Sequence, residues 1–347
     1  FMRSAQARQS VDPGFAADPS AFLSFIVSGE RYDAESGRVF VQEYLNRLEQ
    51  HPGIVAAGAI GNIHLNTTST QTMDLNVDGV EPPPGRRVWE INQSVATPEW
   101  FEAAGIPIVQ GRNFLDTDLP DGVRVCIVNE VFADKFWPGE DPIGKMVRRE
   151  SGQELLVVGV SRATKVRTLG EGPTEFIYTP YSQRYTGFLT VLVQTRDLPE
   201  TGLQAAYSTL REMDPEIVVM ETKTMETHLG VQLMPARLGA LLSMVFALVA
   251  LVLASIGLYG IVSYAVSRRS REMGIRMSLG AAPGKVVQQV VREGMVLVGV
   301  GTLLGMVLAL LGSQVLRSLL FGVAALDPVT FIGVPMILLG VTLVASY

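Results

Sequence analysis

The chain has 347 residues, of which 48% are hydrophobic and 18% charged, and its formal net charge is −6. The apolar content excludes an intrinsically disordered chain, and the single cysteine, Cys126, excludes an intramolecular disulfide. Residues 1–235 hold 20 Lys and Arg against 31 Asp and Glu, a net charge of −11, whereas residues 267–293 hold six basic against two acidic residues. This asymmetry predicts that the two parts lie on different sides of a membrane.

The first 235 residues predict a linker followed by an α+β domain. Residues 1–20 are polar and contain prolines, so we predict a linker, and we expect a membrane helix to be missing upstream of it. Residues 21–27, 37–50 and 54–60 predict strand, helix and strand, and so do residues 188–194, 201–213 and 217–220. Two βαβ-like units that flank an insert indicate one α+β subdomain interrupted by another, within a domain at residues 21–235.

The insert, at about residues 62–183, predicts a β-rich body. Its apolar runs at 75–80, 123–128 and 155–160 are typical of strands, and Cys126 is expected to be buried in one of them. Short helices are predicted at 98–104, with Thr97 as N-cap, and at 130–136. After the insert and the second unit, residues 222–235 predict a further helix.

No catalytic, cofactor or metal site is predicted. The segment from Gly280 to Val286 has too few residues between its glycines for a phosphate-binding loop. The three histidines are far apart and are expected at the surface or in turns. Asp116, Asp118 and Asp121 predict a solvated acidic loop rather than a calcium site. An enzyme is therefore the weakest of the functional hypotheses, and no nucleic-acid partner is predicted.

Three uncharged apolar runs end the chain, at residues 239–266, 294–316 and 328–347. A bilayer core of about 30 Å needs roughly 20 helical residues, so each run predicts a membrane helix. We therefore expect a transmembrane bundle at residues 236–347, with three helices present and a fourth missing upstream. The basic loop between the first two runs predicts a cytoplasmic location, which places the large acidic region outside.

These runs contain no Asp, Glu, Lys or Arg, which argues against an ion- or proton-coupled carrier. Small residues at Gly257, Gly260, Gly301 and Gly305 predict close helix packing. The basic loop mixes apolar residues with its charges, as expected of a segment that docks on a cytoplasmic partner or lies on the lipid surface.

In this loop the sequence reads Glu272-Met273-Gly274-Ile275-Arg276-Met277-Ser278-Leu279-Gly280-Ala281. It closely resembles the signature that follows the second membrane helix in the FtsX-like permease domain of ABC transporters of the MacB family. The outer region is similar to the family's periplasmic core domain, in motifs such as Thr97-Pro98-Glu99-Trp100-Phe101, Gly111-Arg112-Asn113-Phe114 and Val128-Asn129-Glu130. The whole looks most like the second half of a duplicated permease of acidobacterial type, truncated at both ends.

The resemblance implies a type VII ABC permease in the bacterial inner membrane, multi-pass, with its large domain in the periplasm. A cytoplasmic ABC ATPase would grip the loop, and the implied coupling positions are Arg271, Glu272, Gly274, Ile275, Arg276, Leu279 and Gly280. The permease would bind no cofactor and would pass motion to the periplasm for efflux or substrate extraction. Implied partners are the ATPase subunit, a homologous permease half or a second copy, a periplasmic adaptor and membrane lipid.

A second hypothesis uses the same scaffold for signalling. Such a permease would sense a peptide or activate a periplasmic hydrolase instead of moving a substrate. A neighbouring ATPase with efflux genes would favour transport, and a neighbouring kinase pair would favour signalling.

Overall fold

The computed structural model describes residues 13–15, 19–27, 31–66, 71–232 and 234–278, and in addition residues 299–301, 303–305, 307, 308, 333, 336 and 340. Internal contacts divide the chain into one unit at Phe1–Leu233 and a second at Met234–Tyr347. The described part of the first unit is α+β, as predicted from its sequence pattern.

The described residues of the first unit form eleven strands and five helices. The strands are β1 Ser20–Ile26, β2 Ile54–Ile60, β3 Thr72–Val77, β4 Trp89–Ala96, β5 Ile108–Gly111, β6 Val125–Asn129, β7 Met146–Arg149, β8 Glu154–Ser161, β9 Phe176–Pro180, β10 Phe188–Thr195 and β11 Val218–Thr224. The helices are α1 Ala34–Glu49, α2 Trp100–Ala103, α3 Glu130–Phe136, α4 Pro199–Met213 and α5 Met225–Gln232. In the second unit, α6 spans Met234–Ser278.

Four strands form an open sheet in the order β11-β1-β10-β2. Strands β1 and β2 both pair antiparallel with β10, so they run parallel to each other with β10 between them. Helix α1 connects β1 to β2, and α4 connects β10 to β11, which is the split βαβ arrangement. Helices α1 and α4 pack together and cover one face of this sheet.

The sequence of α1 explains both its start and its buried face. Asp33 and Ser36 form a reciprocal capping box, in which each side-chain oxygen accepts a bond from the other residue's backbone N–H, at 2.8 and 3.0 Å. The residues of its buried stripe follow helical spacing. They are Gly37, Phe40, Val41, Tyr44, Leu45 and Leu48.

Six further strands close into a barrel. The pairings run β4-β3-β7-β8-β6-β9, and β9 pairs in parallel with β4, so that the ring is complete. Closure leaves no free edge along this ring. Strand β5 lies outside the ring, on β8. Cys126 lies in β6 and is fully buried in the apolar core of the barrel, which confirms its predicted burial.

A second apolar cluster lies where the open sheet meets the barrel. Strand β2 ends beside the end of β4, where Ile60 pairs with Ala96. Trp100, only 1% exposed, packs here with Phe22 and Tyr178. A Cβ atom on Gly58 would lie 2.5 Å from the Trp100 backbone nitrogen. The backbones of β2 and α2 therefore approach each other closely at a position that requires glycine.

Two local predictions were wrong. Thr97 does not cap α2, because its hydroxyl accepts a hydrogen bond from Ala59 N at 3.1 Å and the helix begins only at Trp100. Thr222, predicted to be helical, lies in β11 opposite Leu23. Pairing with β1 therefore overrides the local preference, and the helix begins after Thr224.

One helix among the described residues is long and apolar enough to cross a membrane, over Leu241–Ile261. This span falls within the predicted run at 239–266. The predicted runs at 294–316 and 328–347 lie mostly outside the described residues. The few positions described there, such as Gly301 and Met336, are helical.

Candidate functional site

Helix α6 is far longer than a bilayer requires. Its 45 residues extend about 68 Å at 1.5 Å per residue. The apolar span Leu241–Ile261 accounts for 21 of them, or roughly 31 Å. Large apolar side chains within this span are exposed, including Met244 at 70% and Phe246 at 69%. The apolar surface and length of this segment fit the hydrocarbon core of a membrane.

Beyond the apolar span the same helix continues without a break through residues 262–278, about 25 Å further. This extension contains four arginines against one glutamate. It includes the predicted coupling positions Arg271, Glu272, Gly274, Ile275 and Arg276. Leu279 and Gly280, also predicted for coupling, lie outside the described residues.

Helical spacing places Glu272, Ile275 and Arg276 on one face of this extension. The Ile275 side chain is 56% exposed. The part of the signature from Glu272 to Ser278 is thus carried by a helix that is continuous with the apolar span.

The predicted packing glycines have no close neighbour among the described residues. A methyl group placed on Gly257 or Gly260 in α6 would meet no described atom within 4 Å, and the same holds for Gly301 and Gly305. These positions can therefore accept a neighbouring helix at close range. Their role in packing stays a prediction.

Helix α5 leads into α6, with only Leu233 between them in the chain. The hydroxyl of Thr224 caps α5 by accepting a bond from Thr227 N at 3.2 Å. Met225 is buried in the cluster between the open sheet and the barrel. On the next turn of α5, His228 Nε2 is hydrogen-bonded to the carbonyl oxygen of His64 at 3.0 Å. The segment that precedes the long helix is thus anchored firmly within the first unit.

His64 lies at the centre of this anchor. Its Nε2 is 2.9 Å from the hydroxyl of Tyr178, and its ring lies 5.1 Å from Phe176 and 6.0 Å from Trp100. Burial lowers the pKa of His64 to about 4, so its ring is neutral at neutral pH. Burial likewise lowers the pKa of His228.

The expectation that the histidines lie at the surface or in turns was wrong for His228, which is buried in helix α5, whereas His51 and His64 both lie in turns, although His64 is buried. His64 and His228 are 2% and 7% exposed, whereas His51 lies exposed in a turn. The two buried residues are 164 positions apart in sequence. No local pattern marks them as neighbours, and the sequence gives no signal that could have found the pair.

The motif around Gly111 has a structural role. Arg112 donates two hydrogen bonds to the carboxylate of Asp118, both at 2.9 Å, and Asn113 Nδ2 donates to Pro98 O at 2.8 Å. Burial opposes the charged form of Asp118, but the bonds from Arg112 and Leu115 N hold its pKa below the usual range. Asp118 is only 8% exposed, so the predicted solvated acidic loop was wrong at this residue.

A cavity of about 720 Å³ lies beside α3 and the loop that follows β8. Charged residues of both signs line it, among them Glu130, Asp134, Arg162 and Lys165. Glu130 accepts a bond from Ala163 N at 3.1 Å, which ties the loop to α3. Its volume falls in the range of pockets that take drug-sized ligands, about 300–1,000 Å³. In the part of the chain that the structure describes, no group of three potential metal ligands occurs.

An α+β unit followed by a long apolar helix with a basic extension is the arrangement that the resemblance to ABC-transporter permeases implies. The family model described as MacB-like periplasmic core domain matches residues 7–207, and the model described as FtsX-like permease C-terminal matches residues 244–347. The chain belongs to the MacB/FtsX-like permease family. Its first unit is accordingly periplasmic, and the protein resides in the inner membrane.

Curated relatives carry the name macrolide export ATP-binding/permease protein MacB. The protein from Neisseria meningitidis serogroup A is 26% identical over 228 residues, which cover 60% of this chain and 33% of the relative. The MacB 2 protein of Yersinia pestis bv. Antiqua (strain Antiqua) is 29% identical over 224 residues, covering 61% and 32%. The chain thus spans about a third of the length of these relatives.

Two solved structures are similar to the first unit. The periplasmic region of MacB from Actinobacillus actinomycetemcomitans is 16% identical, with a TM-score of 0.41, and the match covers 64% of this chain and 95% of that one. The extracellular domain of the transporter YknZ from Gram-positive bacteria is 18% identical, with a TM-score of 0.38, and the match covers 58% and 100%.

Proposed function

We propose that this permease transmits motion from a cytoplasmic ABC ATPase to its periplasmic unit, for efflux or substrate extraction. The observation that carries the proposal is the unbroken helix α6, which joins an apolar span to the extension that contains Glu272, Gly274 and Arg276. A continuous helix moves as one rod, so a displacement of its cytoplasmic end reaches the residues near the periplasmic unit. ATP hydrolysis belongs to the partner, and the permease itself is not an enzyme.

The anchoring of α5 supports the same proposal. Helix α5 precedes α6 in the chain and is itself held in the first unit through Met225 and His228. In this arrangement residues 21–235 form the moving periplasmic body. Residues 236–347 form the permease, with further membrane helices at 294–316 and 328–347 and with a homologous half or a second copy beside it.

The names of the curated relatives indicate which substrate to test first. Their names describe macrolide export, and a macrolide is therefore the first substrate to assay. A periplasmic adaptor would be expected if the substrate leaves through the outer membrane. The alternative, a permease that signals instead of moving a substrate, is tested by the same crosslinking experiment that identifies the cytoplasmic partner.

The test is a photo-crosslinking amino acid at position 275 in the full-length protein, in cells, with captured proteins identified by mass spectrometry. Ile275 is suitable because its side chain is exposed at the centre of the signature. The same amino acid at position 253, within the apolar span, is the matched control. Capture of an ABC ATPase from position 275 alone is the expected result. Capture of a kinase, or of no protein by a correctly inserted permease, would refute the proposal.

A functional variant completes the test. Arg276→Ala is expected to abolish stimulation of the captured ATPase without affecting membrane insertion, because it removes a charge of the contact face. Arg269→Ala, in the same extension but outside the signature, is expected to keep that stimulation. Unchanged ATPase activity in Arg276→Ala would argue against coupling through this helix.

A further inference from the structure

A second cavity, of about 210 Å³, lies at one end of the barrel. Three arginines line it, and each comes from a different element: Arg124 precedes β6, Arg149 ends β7, and Arg184 follows β9. The volume is below that of pockets for drug-sized ligands, about 300–1,000 Å³. The cavity is therefore suited to a small ligand, and its lining is strongly cationic.

Strand alternation directs two of these arginines toward the barrel interior. Arg124 precedes Cys126 by two residues, and Cys126 belongs to the apolar core of the barrel. Arg149 pairs directly opposite Leu75, another residue of that core, so both lie on the same face. Inward-facing positions of a small barrel usually carry apolar side chains that fill it. Arginines at two of them need a separate explanation.

Among the described residues, the hydrogen bonds of these arginines go to neutral oxygens. Arg124 donates to the carbonyl oxygen of Gln183 at 2.7 Å, and Arg149 donates to Gln153 Oε1 at 3.0 Å. Arg184 donates to the side-chain oxygen of Gln93. No carboxylate among the described residues forms an ion pair with any of the three. Since a guanidinium has five N–H donors, most of the donors here remain available to a ligand.

The electrostatics of the site are unfavourable without an anion. Burial, and then the nearby positive charge of Arg149, lower the pKa of Arg184. Like charges that share a half-buried site repel, and an anion between them removes that cost. Thr179 gives an independent observation. It lines the same cavity, it is only 5% exposed, and its hydroxyl has no hydrogen-bond partner among the described residues.

We propose that Arg124, Arg149, Arg184 and Thr179 form a binding site for a small phosphate-like oxyanion at the mouth of the periplasmic barrel. Guanidinium groups match the oxygens of phosphate in bidentate geometry, and a hydroxyl donates to a further oxygen. The ligand is either a free phosphate ion or the phosphate group of a larger molecule. This site does not depend on the coupling proposed for α6, since it rests on the first unit alone.

The test is thermal unfolding of the full-length protein in detergent micelles, titrated with inorganic phosphate at constant ionic strength. Constant ionic strength is needed because added salt alone screens repulsion between arginines. Tryptophan fluorescence reports on the first unit, since Trp89, Trp100 and Trp137 all lie in it. We expect a saturable rise of the unfolding midpoint, as for any ligand that binds the folded state.

A parallel titration with glycerol 3-phosphate distinguishes a free phosphate ion from the phosphate group of a larger molecule. A larger rise than with phosphate indicates a phosphate group on a larger molecule, and a smaller rise indicates the free ion.

The variants are Arg149→Gln and Arg184→Gln, on two different elements, so that a folding defect in one leaves the other informative. Each is expected to weaken phosphate binding about tenfold or more, the loss expected for a charged hydrogen bond. Arg148→Gln is the matched control, because Arg148 directly precedes Arg149 in β7, lies exposed and pairs with Glu154 at 2.9 Å. Its binding should equal that of the unchanged protein. No saturable rise in the unchanged protein, or equal binding in Arg149→Gln, would overturn the proposal.

Discussion

Helices α1 and α6 are both rich in apolar residues, and they place those residues in opposite surroundings. In α1 the apolar side chains form one stripe, which the open sheet and α4 bury completely at Val41, Tyr44 and Leu45. In α6 they occur all around the helix, and Phe246 and Leu253 are 69% and 64% exposed. The contrast shows that the first unit folds by packing against itself, whereas α6 requires lipid or other helices as its solvent.

The most direct way to break this comparison is the same substitution in both helices. Leu45→Ala in α1 removes a fully buried side chain, and we expect it to cost about 3 kcal/mol of unfolding free energy. Leu248→Ala in α6, where the side chain is 60% exposed, should leave that value unchanged. The measurement is urea unfolding in detergent micelles, followed by tryptophan fluorescence. Equal effects of the two substitutions would mean that α6 also contributes to the stability of the first unit.

Glycine substitutions sharpen the comparison at the backbone. Gly58→Ala in β2 places a methyl group 2.5 Å from backbone atoms of Trp100, and we expect a loss of about 2 to 3 kcal/mol in the same unfolding experiment. Gly257→Ala in α6 meets no described atom within 4 Å and should have no such effect. If Gly58→Ala proves neutral, the approach of β2 to α2 is looser than the structure indicates. A loss of assembly in Gly257→Ala would support its predicted role in helix packing.

The same two helices show why parts of the fold can be predicted from sequence. The apolar stripe of α1 and the uncharged run of α6 are local sequence patterns, because each depends only on the surroundings of a single helix. Closure of the barrel is different, because it depends on β4 pairing with β9, in which Asn92 faces Phe176 across 84 positions of sequence. Nothing near either strand specifies that partner. The arginines of the barrel mouth and the His64–His228 pair escaped prediction for the same reason.

The predicted coupling positions lie between these cases. A short, specific signature identified Glu272 and Arg276, because such a motif needs only local residues. Hydropathy predicts the apolar helix that precedes this signature, but it does not predict that the same helix extends into the signature. The uncharged run ends at Val266, but the helix continues to Ser278. Charged residues end a membrane span without ending a helix, so hydropathy alone misses the extension.

Acid sensitivity that arises from histidine should be confined to the first unit, since residues 234–347 contain no histidine. The pKa of His64 is about 4 in the folded protein and about 6.5 when unfolded. Between these values the unfolded chain binds a proton that the folded chain does not. The free energy of unfolding therefore has its full value above pH 6.5 and falls as the pH is lowered toward 4. We expect a loss of roughly 2 kcal/mol from pH 7 to pH 5 through this residue.

The check is urea unfolding at both pH values for three proteins. His64→Gln should show a smaller loss between pH 7 and pH 5 than the unchanged protein, because glutamine does not titrate. His51→Gln should keep the full loss, since His51 is exposed in a turn. If His64→Gln retains the full pH dependence, other groups, such as His228, dominate the acid response.

The smallest expected effect concerns one hydroxyl group in each helix. Tyr44 in α1 donates a buried hydrogen bond to the carbonyl oxygen of Ala206 in α4, at 2.7 Å. Tyr44→Phe keeps the ring but leaves that carbonyl with one bond fewer, so we expect a loss of about 1 kcal/mol by urea unfolding. Tyr264→Phe in α6, where the side chain is 67% exposed, is the matched control and should lie within about 0.5 kcal/mol of the unchanged protein. If Tyr44→Phe leaves the free energy of unfolding unchanged, apolar packing alone holds α1 against α4. The contrast between α1 and α6 would then depend only on the burial of apolar side chains, with no contribution from this hydrogen bond.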